Sequence, residues 1–279
     1  MDVVARIVAN EAGKTLGQPI VVENRPGAGG SSGPAAVAQA KPDGYTLMIA
    51  APTQIPVALA LRTKTPYDAG RDFIPVTKLA EEVLVVMTSR TVPADTLPAF
   101  IAYLKANPGK VNYSSAGVGS LGHLAGELFK VKAGVDIQHI PYKGGPAGTF
   151  ALIAGDVGLS LTSAGSGSAY FDKINVLAAL GARRISILPN VPTAIEAGVA
   201  DLIVTSWAGV FAPAGTPAAV VAKLDDAFRK ALAVPGVVET FRKLGIEPVG
   251  LPPAEFARSL AEDLRLWTAV VDQARIVLE

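Results

Sequence analysis

Two hydrophobic periods alternate along the chain. Short β-branched runs, apolar at nearly every position, give way to Ala-rich stretches with apolar residues every three or four positions. This alternation predicts an α/β protein with mostly parallel sheets. A first helix is expected over 3–16, with Val3, Val4, Ile7 and Val8 as its apolar stripe and Lys14 near its end. A strand over 19–23, a glycine loop from Pro26 to Gly33 and a helix to about Ala40 follow. Pro42-Asp43-Gly44 has the residue types of a turn. Strands are expected over 45–50, 73–79 and 83–88. Helices are expected from Thr53 to Leu61 and over 97–107, the latter stopped by Pro108-Gly109.

A second set repeats the rhythm. Strands are expected over 111–114, 137–142, 157–162 and 176–181, with helices over 120–133 and 146–154. Residues 192–197 read as helical and 204–211 as extended. The last helices are expected over 217–233, 237–244 and 253–271. No internal repeat at a solenoid period is present.

The chain has 279 residues, enough for two domains and for burying roughly 75% of the unfolded surface. Half of its residues are apolar, which argues against disorder. A net charge of +1 gives no sign of nucleic acid as a partner. With no cysteine, disulfides, thiolate metal sites and cysteine nucleophiles are excluded, but the compartment is left open. Mean hydropathy is +0.38, yet the uncharged stretch Leu202–Ala222 is broken by Gly209, Pro213, Gly215 and Pro217 and is rejected as a membrane span. The first residues, with Asp2 and Arg6, do not read as a signal peptide.

In open α/β sheets, ligands sit beyond the carboxyl ends of strands, where helix N-termini offer backbone N–H groups to anions. The best such loop runs from Tyr113 to His123. Ser114 and Ser115 end a strand, Ala116 follows, Gly117 and Gly119 allow close backbone approach, and Ser120 is placed to cap the next helix. The plain alternative is an ordinary turn with a cap. A second loop, Pro141–Pro146, offers the Tyr142 hydroxyl, the Lys143 charge and Gly144, with Pro146 in the first turn of a helix; its plain reading is a surface turn. Thr53 and Gln54 in Ala51–Gln54, and Thr162 and Ser163 in Leu161–Gly165, complete four loops poor in acids. Together they favour an anionic ligand.

Other chemistries fit less well. Gly27-Ala-Gly29-Gly-Ser-Ser-Gly33 imitates a dinucleotide fingerprint, but it is one residue too long, and the next strand lacks the ribose-binding acid. Gly119-Ser120-Leu-Gly122 is not a nucleophile elbow. His123 and His139 read as isolated structural histidines without nearby acids, neither catalytic nor a metal set. Glu81-Glu82 is a lone acidic pair that reads as a solvated turn rather than a catalytic dyad. Trp207 reads as a core anchor between lobes, with a pocket wall as the alternative.

The ordered motifs resemble one family. Glu23-Asn-Arg-Pro-Gly-Ala-Gly-Gly30, Pro42-Asp-Gly-Tyr-Thr-Leu47, Asn112-Tyr-Ser-Ser-Ala-Gly117 with Ser120, and His123-Leu-Ala-Gly-Glu-Leu-Phe129 look like segments of the Bug-type solute receptors of tripartite tricarboxylate transporters. So do Pro141-Tyr-Lys-Gly144, Val191-Pro-Thr193 with Glu196-Ala-Gly198, Ser206-Trp207 and Ala212-Pro-Ala-Gly-Thr-Pro217. The resemblance covers almost the whole chain.

It implies a periplasmic-binding-protein-like fold of type II, with two α/β lobes joined by crossings near Thr88–Val92 and Ser206–Pro213. Residues 1–89 and 207–279 would form one lobe, and 90–206 the other. It implies a monomeric periplasmic receptor that closes on a di- or tricarboxylate or aromatic acid in the interlobe cleft. Membrane transporter subunits or a sensor kinase would read it, with no cofactor, metal or catalysis. By position, the resemblance assigns the ligand to Thr53, Gln54, Ser115, Ala116, Gly117, Gly119, Ser120, Tyr142, Lys143, Gly144, Thr162, Ser163 and Ser206. Amino-acid-binding relatives can carry an acid where Leu161-Thr-Ser163 stands, so the ligand expected here is an unaminated acid. Relatives also begin with a signal peptide, a first strand and a P-x-x-x-G-G loop, which this sequence is expected to lack. The alternatives are a degenerate non-binding or interaction protein, or a nucleotide-binding α/β enzyme.

Overall fold

The computed structural model describes residues 1–27 and 30–278. Ala28 and Gly29 of the glycine loop lie outside the described residues. Ten helices of the α type and eight strands are named here among the described residues. The chain folds as two compact units. Unit 1 comprises Met1–Glu81 and Trp207–Ala269; unit 2 comprises Glu82–Ser206 and the segment from Val270 on. Thr88–Val92, expected as a crossing, lies within unit 2. No described helix is long and apolar enough to cross a membrane.

Unit 1 begins with α1 (Asp2–Leu16), which ends on Gly17 in the left-handed region at φ 73°, where only glycine is free of strain. α2 (Ser32–Ala38), β1 (Met48–Ala50), a 3-10 turn over Pro52–Gln54 and the short α3 (Pro56–Ala60) follow. β1 is antiparallel to β7 (Thr205–Pro213), Met48 facing Phe211. β8 (Glu247–Leu251) is antiparallel to the first part of β2 (Phe73–Thr88), with Lys78 facing Leu251. The apolar stripe of α1 packs on α8 (Ala218–Leu232): Val4, Val8 and Ala12 share a core with Val221, Leu224 and Phe228, and α9 (Pro235–Lys243) adds Phe241. A second core gathers Trp207, Phe211 and Phe256, the last from α10 (Pro253–Ala274). Each fully buried Phe contributes roughly 1.5–3 kcal/mol.

Unit 2 holds the second part of β2. It runs antiparallel to β5 (Leu159–Ser163) and to β6 (Asn175–Ala179). Parallel pairing joins β5 to β3 (Asn112–Ser115) and β3 to β4 (Gln138–Pro141). The connections β3–α5–β4 and β4–α6–β5 pass through α5 (Leu121–Ala133) and α6 (Gly145–Ala154), and crossovers through a helix bring successive strands in parallel. α4 (Leu97–Ala106) starts at Thr96, whose hydroxyl accepts from the Ala99 amide, and buries Phe100 against Phe129.

Four expectations are corrected. Among the named strands of the described residues, parallel pairing is confined to β5–β3–β4, because β2 opposes the strands it pairs with; the sheets are mixed. Residues 19–23 form no strand: Val21 is 86% exposed, and a short apolar run without a ladder partner has nothing to pair with. Residues 73–79 and 83–88 are one strand. Glu81 and Glu82 lie inside it rather than in a turn, Glu81 paired with Lys78 and Glu82 half-buried. Residues 192–197 form turns rather than a helix. There the Glu196 carboxylate accepts from the Thr193 amide at 2.7 Å and the Thr193 hydroxyl accepts from the Glu196 amide, a box that closes the turn on itself.

Candidate functional site

The site is built at the carboxyl ends of β3 and β5 in unit 2. β3 ends at Ser115, and the chain then turns through Ala116–Gly119 into α5. Gly117 has φ 130° and Gly119 φ 77°, conformations that side chains rarely adopt. The loop is closed by its own bonds. Ser120 Oγ donates to the Gly117 carbonyl at 2.7 Å and accepts from the His123 amide, so Ser120 caps α5. The Gly117 amide donates to Ser115 Oγ at 3.1 Å.

The two helices behind the strands come unusually close. A Cβ at Gly122 of α5 would stand 2.8 Å from the Leu161 carbonyl, and one at Gly148 of α6 would stand 3.1 Å from the Ser114 side chain. These glycines let the first turns of α5 and α6 reach the strand ends. Their exposed N–H groups carry partial positive charge.

A cavity of about 190 Å3 opens there, smaller than the ~300–1,000 Å3 typical of drug-sized ligands. Seven hydroxyl residues line it: Ser114, Ser115, Ser120 and Ser160 with Thr162, Ser163 and Ser206. Ala116, Leu121, Gly122, Gly145 and Gly148 complete the loop and helix side. β2 contributes Glu82 and Leu84. No lysine, arginine or histidine is among the described lining residues. A second cavity of the same size in unit 1 is walled by apolar residues such as Ile55, Phe73, Phe211 and Leu260, and offers no side-chain group to orient an acid.

Of the residues singled out from sequence, the structure gathers Ser115, Ala116, Ser120, Thr162, Ser163 and Ser206 around this one cavity. Gly117 and Gly119 shape its loop without lining it. Gly144 precedes α6 at φ 95°, Tyr142 packs on the apolar core of unit 2, and the Lys143 side chain is exposed; none of the three lines the cavity. Thr53 and Gln54 belong to unit 1, where the Gln54 side chain accepts from the Ala51 amide at 2.8 Å. Sequence reasoning missed Ser160 and Glu82 on the wall. The period-two alternation from Glu82 through Leu84, opposite buried Val83 and Val85, was the available signal.

The histidines are not isolated. His123 and His139 stack with ring centroids 3.8 Å apart and planes at 13°. Ser115 Oγ lies 2.6 Å from His139 Nε2, a contact that a nucleophile and base would share. The nearby acid is committed elsewhere: Glu127 accepts from the Tyr113 hydroxyl at 2.7 Å and pairs with Lys130. No acid described here hydrogen-bonds either ring, so the third member of a triad is missing. Burial pushes both imidazoles down, His139 to about 4, where His123 adds to the cost of charging it. Both are therefore neutral at pH 7. No group of three or more His, Cys, Asp or Glu is arranged to hold a metal among the described residues. Trp207 is an anchor within the core of unit 1, 2% exposed, its Nε1 donating to Asp263 Oδ2 at 2.8 Å.

Comparison with known proteins agrees with this geometry. The model of the tripartite tricarboxylate transporter family receptor matches residues 4–276. BugT of Bordetella pertussis is 35% identical over 273 residues, covering 97% of this chain and 84% of that protein. The structure of Rpa4515 from R. palustris with adipate is 30% identical with a TM-score of 0.82, covering 99% of this chain and 93% of the other. MatC from Rhodopseudomonas palustris with bound malate is 33% identical with a TM-score of 0.79, covering 97% and 94%. The architecture is that of the periplasmic binding proteins of this type, which are receptors and not enzymes. The chain belongs to the receptor family of the tripartite tricarboxylate transporters, in its Bug branch.

Proposed function

We propose that this receptor captures a small dicarboxylate at the cavity of unit 2 and delivers it, as a monomer working in the periplasm, to the membrane subunits of a transporter. The observation that carries the reading is the convergence of two helix starts, α5 and α6, with seven hydroxyls at a cavity whose described wall bears no cation. An anion there is met by N–H and O–H donors and by the positive ends of two helices rather than by an ion pair. The acids named for the two Rhodopseudomonas proteins, adipate and malate, are both dicarboxylates, which supports the same chemical class for this chain.

Binding to the folded state alone raises its stability with ligand concentration. A thermal-shift series with malate, adipate and their uncharged diamides tests the reading. A saturable rise with at least one diacid and none with its diamide is the expected result. Equal shifts with acid and amide, or no shift with any acid, would count against it.

A further inference from the structure

Both ends of the loop that faces the cavity are tied to the stacked imidazoles beneath it. At one end, Ser115 Oγ meets His139 Nε2 at 2.6 Å. At the other, the Gly119 amide donates to His123 Nδ1 at 3.1 Å. The rings stand face to face, their centroids 3.8 Å apart. Tyr113 closes the stack, its ring 5.0 Å from His139 and its hydroxyl held by Glu127.

We propose that His123 and His139 are positioning residues for the ligand, their stacked neutral rings holding Ser115 and Gly119 so that the loop presents its donors to the cavity. The proposal rests on the carboxylate-binding reading above. Its chemistry follows from the atoms. Gly119 has an N–H, so His123 must offer a lone pair at Nδ1, which fixes its proton on Nε2. Ser115 Oγ already receives the Gly117 amide. In the tautomer with the proton on His139 Nε2, Ser115 Oγ receives that ring as well, and its own hydrogen goes to the Gly117 carbonyl at 3.0 Å, so every bond of this hydroxyl serves to hold the loop.

Protonating His123 would undo the tie to Gly119, while a charged His139 would still donate to Ser115 Oγ. A proton on His123 Nδ1 faces the Gly119 N–H with another N–H, and two stacked imidazolium rings repel. The charged groups facing the pair are Glu127, which favours protonation, and Lys130, which opposes it, both from α5; Tyr113 on β3 is uncharged at pH 7. Acid therefore loosens the loop, and ligand affinity falls as the pH drops toward the range where the rings take up protons.

The test compares ring-keeping and bond-keeping substitutions. H123F and H139F keep a flat ring in the stack and lose the bond; H123N returns an acceptor near the Nδ1 position, and H139Q a polar atom near Nε2. Amide hydrogen exchange over 115–123 is measured without ligand, and malate and adipate affinities by calorimetry at pH 7.5 and 5. The Phe variants are expected to lose protection at Gly117–Gly119 and to bind the preferred diacid about tenfold more weakly, as loss of one ordered hydrogen bond implies. The Asn and Gln variants are expected to recover most of both, and H123F to lose the pH dependence of wild-type binding. Loop exchange in both Phe variants indistinguishable from wild type would overturn the proposal. Failure of the wild-type protein to bind either diacid would defeat the carboxylate reading, while the exchange comparison would still decide the role of the histidines.

Discussion

The ring of Tyr113 fills the space that any side chain at residue 126 would need: a Cβ on Gly126 would stand 2.1 Å from the ring. α5 thereby lies flat on β3, and the Tyr113 hydroxyl reaches Glu127 one residue further along the helix. Gly126→Ala is expected to destabilise the protein by about 1–3 kcal/mol through overpacking. Gly236→Ala, in open space near the start of α9, is expected to be neutral or to stabilise by up to about 1 kcal/mol. Urea unfolding of the two variants checks the contrast. Equal effects would show that the close approach at Tyr113 does not constrain α5.

Buried Trp207 and half-buried Asp263 form a pair whose charge is a liability. Burial pushes the Asp263 carboxyl above its usual value, against the bond from Trp207 that lowers it. A carboxyl raised in the folded state favours folding at low pH, and that contribution is lost as pH rises through its folded value. Asp263→Asn keeps an acceptor for the indole and removes the charge, so it is expected to match or exceed wild-type stability at pH 7. Asp263→Ala leaves the Trp207 N–H unpaired and is expected to cost about 1–3 kcal/mol. Denaturant midpoints of both variants at pH 7 decide it; an Asn variant as unstable as the Ala variant would contradict the account.

The imidazole pair makes a prediction of opposite sign. His139 falls from 6.5 to about 4 on folding, and His123 is also lowered. Between these values the unfolded chain binds more protons than the folded one, so stability declines as pH falls from about 6.5 toward 4. Unfolding free energies at pH 7 and pH 5 are expected to differ more for wild type than for His139→Phe. The same difference in both proteins would mean that His139 is not the source.

Much of this architecture was legible because its signals are local. α5, α6 and the strand before each follow from apolar period, from Ser120 as a cap and from the glycines that end helices, and the hydroxyl loops at 115–120 and 162–163 follow from strand-loop-helix order. What escaped depends on distant partners. Nothing near Glu81 and Glu82 marks them as mid-strand, since Lys78 and the cavity wall tolerate them there. His123 and His139 are sixteen positions apart in sequence and meet only because β4 pairs with β3 in parallel, Tyr113 facing His139. Lys143 offers a charge beside a strand end, yet its side chain is exposed and is not among the lining residues of the cavity.

Glu82 sets the next expectation. It is the one carboxylate on the described wall of the cavity, with no cation beside it there. A ligand carboxylate ~8 Å away would be opposed by about 1 kcal/mol at an effective dielectric near ~40. Glu82→Gln is therefore expected to tighten adipate, which has no donor to offer Glu82, by about fivefold. Malate, with a hydroxyl that Glu82 can accept from, is expected to gain less or to weaken. Calorimetric titration of both acids reads the difference; weaker adipate binding in the variant would place Glu82 on the attractive side of the site.

The most direct test of the central claim is calorimetric titration of the wild-type protein with adipate and malate at pH 7.5, beside a Ser115→Ala, Ser120→Ala double variant. The account predicts saturable one-to-one binding of at least one diacid by the wild type, and binding at least tenfold weaker in the double variant at little change in fold. Binding that is unaffected by loss of both hydroxyls, or a wild-type protein that binds neither diacid, would contradict it.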